Sequence, residues 1–147
     1  MIIFQQSNEN DWKNNPNLHL SIEISENSLS LLLHDTLNDK TIALEDLSLS
    51  NSNFEKEINQ SLIHLHSVPN TISCAMANSN FTLIPSPIYN PKNILDYLNF
   101  NFKIEEESLA KSSKLLKHEI YTCYYIKEST EKQVSSVYPN VKFKPLE

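Results

Sequence analysis

Glycine is absent from all 147 residues of this chain. Globular proteins use glycine at about 7% of positions, because it takes positive φ without steric cost and lets backbone approach a ligand closely. Walker loops, GxGxxG turns and nucleophile elbows all need it at fixed places, so none of them can occur here as written. A richness in Asn, Lys, Ile and Ser points to genome base composition as one contributor to the bias, but the glycine loops are missing all the same.

Charge narrows the partners. Lys and Arg total 12 against 18 Asp and Glu, for a net charge of −6, and every one of the 12 is lysine. Arginine supplies the planar fork that grips phosphate or guanine at two points, and a negative chain is repelled by a polyanion, so sequence-specific nucleic-acid binding is disfavoured. Cys74 and Cys123 stand far apart without CxxC or CxxH spacing, which reads as two buried, reduced thiols. The opening MIIFQQSNENDWKNN lacks the apolar core of a secretory signal, and no stretch has the ~18 apolar residues of a membrane span. The expectation is a cytoplasmic protein with no membrane partner.

Residues 1–17, polar around Trp12 and Pro16, read as an N-terminal arm of loose structure, and residues 18–147 as a single lobe. From Leu18 the pattern alternates strictly, with Leu18, Leu20, Ile22 and Ile24 on one face and His19, Ser21 and Glu23 on the other, which predicts a strand. Ser25, Glu26, Asn27 and Ser28 form a turn into a hairpin partner carrying Leu29, Leu31 and Leu33. A second turn at Asn38 and Asp39, residues that tolerate turn conformations, leads to a third strand in TIALEDLSLS.

Ser52 and Glu55 have the spacing of a capping box, and Phe54, Ile58, Leu62 and Leu65 follow at helical intervals, predicting a helix from 53 to 66. TISCAMA reads as a buried strand, and NFTLIP as a short extended piece. Asn90 and Pro91 start a second helix along Ile94, Leu95 and Leu98. Glu105, Glu106 and Glu107 read as a solvated acidic loop. SKLLKHEIYTCYYIKE looks like one long central strand, after which Ser129 or Thr130 caps a last helix through Val134 and Val137, and VKFKP is extended again. The order βββαβαβα implies an α/β fold with a five-stranded mixed sheet, in which the strands of Cys74 and Cys123 are parallel neighbours near the centre.

That order is the one found in ribonuclease-H-like and actin-like lobes, and three stretches narrow the resemblance: LHLSIEISENSLSLLLHD, SNFTLIPSPIYNPKNILDYLNFNF and HEIYTCYYI. Together they resemble a bacterial family, domain of unknown function 3822, whose members have an actin-like ATPase-type fold. The resemblance runs from about Leu18 to Phe143. Such proteins are about twice this length with a second similar lobe, so it implies that this chain is the N-terminal half. In active actin-like ATPases the first hairpin carries a metal-ordering aspartate and then a glycine. Laid on IEISENSLS, those positions fall on Ser25 and Asn27, which implies a degenerate phosphate hairpin over Ser25, Glu26, Asn27 and Ser28.

The residues offer few routes to catalysis. Ribonuclease-H-like nucleases gather carboxylates around two metals ~4 Å apart, so Glu23, Glu45, Asp46 and Glu119 are the residues to weigh, with a solvated strand face as the plainer reading. His64 and His66 point about 200° apart on a helix and cannot share a metal. His34 beside Asp35 reads as an exposed turn pair, and His118 as a packing residue at the start of a strand. Ser73 and Cys74 have no neighbouring base at a recognisable spacing. Tyr121, Tyr124 and Tyr125, with Phe100 and Phe102, suit either a core or a partner surface.

The expectation is therefore a non-catalytic interaction or scaffold module with no catalytic residue, metal or cofactor. It would dock a protein partner or a second lobe and be able to self-associate through an exposed apolar surface. The alternative is a metal-dependent phosphotransfer or nuclease enzyme using carboxylates of the first and third strands.

Overall fold

The computed structural model describes residues 2–5, 12–49, 54–77, 80–104, 106–115 and 117–145. The alternation from Leu18 becomes a meander of β2 (Leu18–Ile24), β3 (Ser28–Asp35) and β4 (Lys40–Ser48), antiparallel throughout. Two parallel strands extend it, β5 (Thr71–Met76) beside β2 and β9 (Lys142–Pro145) beside β5. The expected five-stranded mixed sheet thus runs β4-β3-β2-β5-β9, and β1 (Ile2–Gln5) adds an antiparallel edge next to β4.

One face of this sheet is the core. Leu20, Ile22, Leu31, Leu33 and Cys74 are packed there under Phe54 and Ile58 of α1 (Phe54–Ile58), Ile63 of α2 (Leu62–His66) and Val134 of α4 (Glu128–Val137). Both crossovers, β4 to β5 and β5 to β9, advance in the same direction across the sheet, so right-handed connection puts their helices on the same side. His19, Ser21 and Glu23 face away from that core, as their alternation with Leu20 and Ile22 requires.

Several sequence expectations are corrected. Trp12, placed in a loose arm, is 1% exposed and belongs to the core, and Ile2–Gln5 is paired in the sheet. A lone tryptophan among polar residues makes no periodic signal. Residues 6–11 of that arm, and Ser52 and Asn53 of the capping box, lie outside the described residues, as does Glu105 of the acidic loop. The helix expected from 53 to 66 is two short helices. Its chain breaks at Ser61, which caps α2 by accepting from the His64 amide at 3.1 Å.

The largest correction concerns Cys123. Its strand is not a parallel neighbour of the Cys74 strand: β6 (Phe81–Pro85), β8 (Ile120–Lys127) and β7 (Ser108–Lys114) form a separate antiparallel sheet in the order β6-β8-β7. The stretch read as one strand from Ser113 is the return of a hairpin, closed where the Leu115 amide donates to the Ile120 carbonyl at 3.0 Å. β7 escaped the sequence reading because SLAKSSK has no apolar alternation. The fifth strand of the main sheet is instead the short β9.

The small sheet is covered by α3 (Ile94–Asn101), whose Leu98 packs with Cys123 and Tyr125. Tyr89 lies flat on Tyr121, with centroids 3.7 Å apart, and its hydroxyl meets Ser112 Oγ at 2.6 Å. That stack fixes the PSPIYN segment to the sheet. Tyr121, Tyr124 and Tyr125 serve mainly as packing residues, whereas Phe100 is 90% exposed. The two sheets are joined where Lys111 of β7 pairs with Glu131 of α4 and stands 5.1 Å from the centroid of the Phe143 ring on β9.

Candidate functional site

The β2–β3 hairpin and the end of β5 make one wall of a cleft of about 570 Å³. Parallel pairing brings Ile24 level with Met76, and the Ala77 amide donates to the Ile24 carbonyl at 2.8 Å. Ligands of open α/β sheets bind outside the carboxyl ends of parallel strands, which is where this cleft opens. Its apolar floor is Ile24, Leu49, Phe54 and Met76. Its opposite wall comes from Tyr125 and Lys127 at the end of β8 and from Thr130 and Gln133 on α4.

Ser25 and Glu26 of the expected hairpin line this cleft. The turn is built without positive φ at any hairpin residue: among the described residues only Asp39 and Glu107 have it. Two-residue hairpin turns usually need such a residue, and here a side chain replaces the missing freedom. The Ser25 amide donates to the Ser28 carbonyl at 2.9 Å, the Ser28 amide donates back to Ser25 Oγ at 3.0 Å, and the two hydroxyls meet at 2.5 Å. The Leu49 amide donates to the Asn27 carbonyl at 2.9 Å. The Ser25 hydroxyl is thus spent on closing the turn.

Electrostatics at the cleft give a phosphate no net attraction, since Glu26 and Lys127 both line it. Glu26 is exposed at its mouth. The first turn of α4, a place where a bare amide terminus would favour an anion, holds Glu128 and Glu131. Glu128 pairs with Lys132 at 2.6 Å, and Glu131 with Lys111.

The carboxylates weighed for metal binding do not gather. Glu45 faces inward opposite Leu31, is 3% exposed, and accepts from Ser61 Oγ at 2.7 Å and from the Leu62 and Ile63 amides at 3.2 Å each. It reinforces the Ser61 cap of α2. Glu23 and Asp46 are both registered with Ser30 of the strand between them, so they stand two strand spacings apart, ~10 Å, which is too far for one metal pair. Glu119 sits in the β7–β8 hairpin and pairs with Lys114 at 3.3 Å. Among the described residues no three His, Cys, Asp or Glu side chains form a group able to hold a metal.

The histidines and nucleophiles are equally dispersed. His34 pairs with Asp39 at 3.3 Å rather than with Asp35, and His118 is exposed in a turn rather than packed. His64 Nδ1 meets the Tyr138 hydroxyl at 2.9 Å; burial lowers the pKa of the imidazole, while burial and then Glu45 raise that of the phenol. Burial pushes the Cys74 thiol up to about 12 and raises Cys123 as well, so neither is a thiolate at neutral pH. One contact was missed from sequence: His19 bridges Thr71 Oγ1 at 2.7 Å and Ser73 Oγ at 2.9 Å. It follows from the parallel register of β2 and β5, which no local spacing reveals. Burial, Lys144 and His34 together lower the histidine's pKa, yet strand amides committed to a ladder leave Ser73 no oxyanion donors.

The chain belongs to the family described as "Protein of unknown function (DUF3822)", which matches residues 7–146. Among solved structures it is similar to a Bacteroides thetaiotaomicron protein with actin-like ATPase fold and unknown function, at 19% identity and a TM-score of 0.78, covering 92% of this chain and 54% of that one. This chain therefore spans about half the length of that relative, and the likeness shows the actin-like fold. A foamy viral protease-reverse transcriptase, bound to an RNA/DNA hybrid, also aligns over 91% of this chain and 16% of its own, at 13% identity; its TM-score of 0.35 is too low to carry an argument. No curated protein matches the sequence. Among the described residues no helix is long and apolar enough to cross a membrane.

Proposed function

We propose that this chain is a non-catalytic interaction or scaffold module, an actin-like lobe whose nucleotide hairpin no longer holds phosphate. The observation that carries this reading is the closure of the hairpin on itself. Ser25 spends its hydroxyl on Ser28, and Glu26 brings a carboxylate to the mouth of the cleft where phosphate would enter. A phosphate there would find the Ser25 hydroxyl already engaged and the charge of Lys127 on the far wall offset by Glu26.

In this reading the module works in the cytoplasm by docking protein, either a separate partner or a second lobe, and takes neither nucleic acid nor a cofactor. The absence of arginine and the charge of −6 support the exclusion of polyanions. Titration calorimetry of the chain with magnesium and ATP tests it. Dissociation constants weaker than ~1 mM, an affinity of only about −4 kcal/mol, are expected. Micromolar binding that depends on magnesium would overturn the proposal.

A further inference from the structure

We infer that β6 is a self-association edge, which pairs antiparallel with β6 of a second copy of this chain. Among the described residues β6 has β8 on one side and no strand on the other. The Ser86 amide donates to the Glu119 carbonyl at 2.8 Å, so positions level with Ser86 in the alternation, Ile84 and Thr82, direct their backbone groups at β8. Phe81, Leu83 and Pro85 direct theirs outward. An outward row of amides and carbonyls is satisfied most fully by another strand.

The other edges with described side chains are protected in the ordinary way. β7 carries Lys114, and β9 carries Lys142 and Lys144. Lysines on an edge disfavour pairing. FTLIP has no charge, and its outward-bonding residues Phe81 and Leu83 are 47% and 49% exposed. On a chain of net charge −6, this edge lets two copies approach with no like charges in the contact.

The strand is also complementary to itself. A two-fold axis through Leu83 lets each Leu83 amide donate to the second copy's Leu83 carbonyl, and each Phe81 amide to the second copy's Pro85 carbonyl. Pro85, which lacks an amide, is then needed only as an acceptor. Phe81 packs on the second copy's Pro85 on the same face as the leucine pair. Such an isologous contact closes at a dimer. Five residues bury less than a standard interface, so the dimer is weak and concentration-dependent.

This inference is independent of the cleft, since a nucleotide-binding lobe could dimerise in the same way. Sedimentation velocity over a wide concentration range tests it with the wild-type chain, Leu83→Lys and Phe100→Lys, combined with amide exchange at Phe81 and Leu83. The expected result is a monomer–dimer equilibrium, weakened at least about tenfold by Leu83→Lys and unchanged by Phe100→Lys, with both amides protected as dimer forms. Three results would each overturn it: a monomer at every concentration, a dimer that survives Leu83→Lys, or a dimer lost with Phe100→Lys.

Discussion

Ser25 Oγ and Ser28 Oγ stand 2.5 Å apart across the β2–β3 turn, and the Ser28 amide donates to the same Ser25 oxygen. The arrangement lets a chain without glycine close a tight hairpin in ordinary backbone conformations. Removing the oxygen with Ser25→Ala strands the Ser28 amide at the turn and is expected to lower stability by about 0.5–1.5 kcal/mol. Urea unfolding reads it, and an unchanged midpoint would show that the hydroxyl is not what holds the turn.

Glu45 illustrates how a candidate catalytic carboxylate becomes a structural one. It reinforces the Ser61 cap of α2 and accepts from two backbone amides in the core. Glu45→Ala leaves those donors buried and unmatched, and a loss of about 1–3 kcal/mol is expected. Glu45→Gln keeps one acceptor and should recover part of it. Equal stability of Glu45→Ala and wild type in chemical denaturation would contradict the capping role.

The two cysteines mark what the sequence could and could not convey. Their burial was legible, because each sits in an apolar run, and both are free and buried. Their separation into two sheets was not. Strand partnership depends on long-range pairing: ISCAM and YTCYYI carry similar alternation, and nothing local tells a central strand of one sheet from a central strand of another. In the same way the hairpin of the candidate site could be laid on a known pattern, while the opposite cleft wall from Tyr125, Lys127 and Gln133 required the tertiary structure. A polar thiol reagent should label Cys74 and Cys123 only slowly in native protein and rapidly in denaturant; fast native labelling of either would refute its burial.

Asp35 sets an acid limit on stability. The side-chain amide of Asn38 at 2.9 Å, then that of Asn15 at 2.8 Å, with the backbone amides of Asn38 and Leu37, hold its carboxyl down at about 2. An unfolded aspartate titrates near pH ~3.9. Between those values the unfolded chain binds the extra proton, so the carboxylate's contribution is complete above about pH 4 and is lost as pH falls toward about 2. Asp35→Asn should lower stability at neutral pH and flatten that acid limb. Parallel pH–stability curves for the two proteins would exclude this origin.

Glu107 carries a cost of the missing glycines. Its φ is 63°, in the left-handed region, at the turn where its carbonyl accepts the Glu128 amide at 2.9 Å and so ties β7 to the start of α4. A side chain in that region costs roughly 1–2 kcal/mol, and the bond it supports is made by backbone. Glu107→Gly therefore keeps the bond and relieves the strain, offset in part by the greater freedom of glycine in the unfolded chain, for an expected gain of about 0.5–1 kcal/mol. Asp39, at φ 49°, is the contrasting case, because Asp39→Gly also removes the contact with His34 and should gain less. Chemical denaturation of both variants decides it: a destabilised Glu107→Gly would mean that the exposed glutamate side chain, and not the backbone alone, holds this turn.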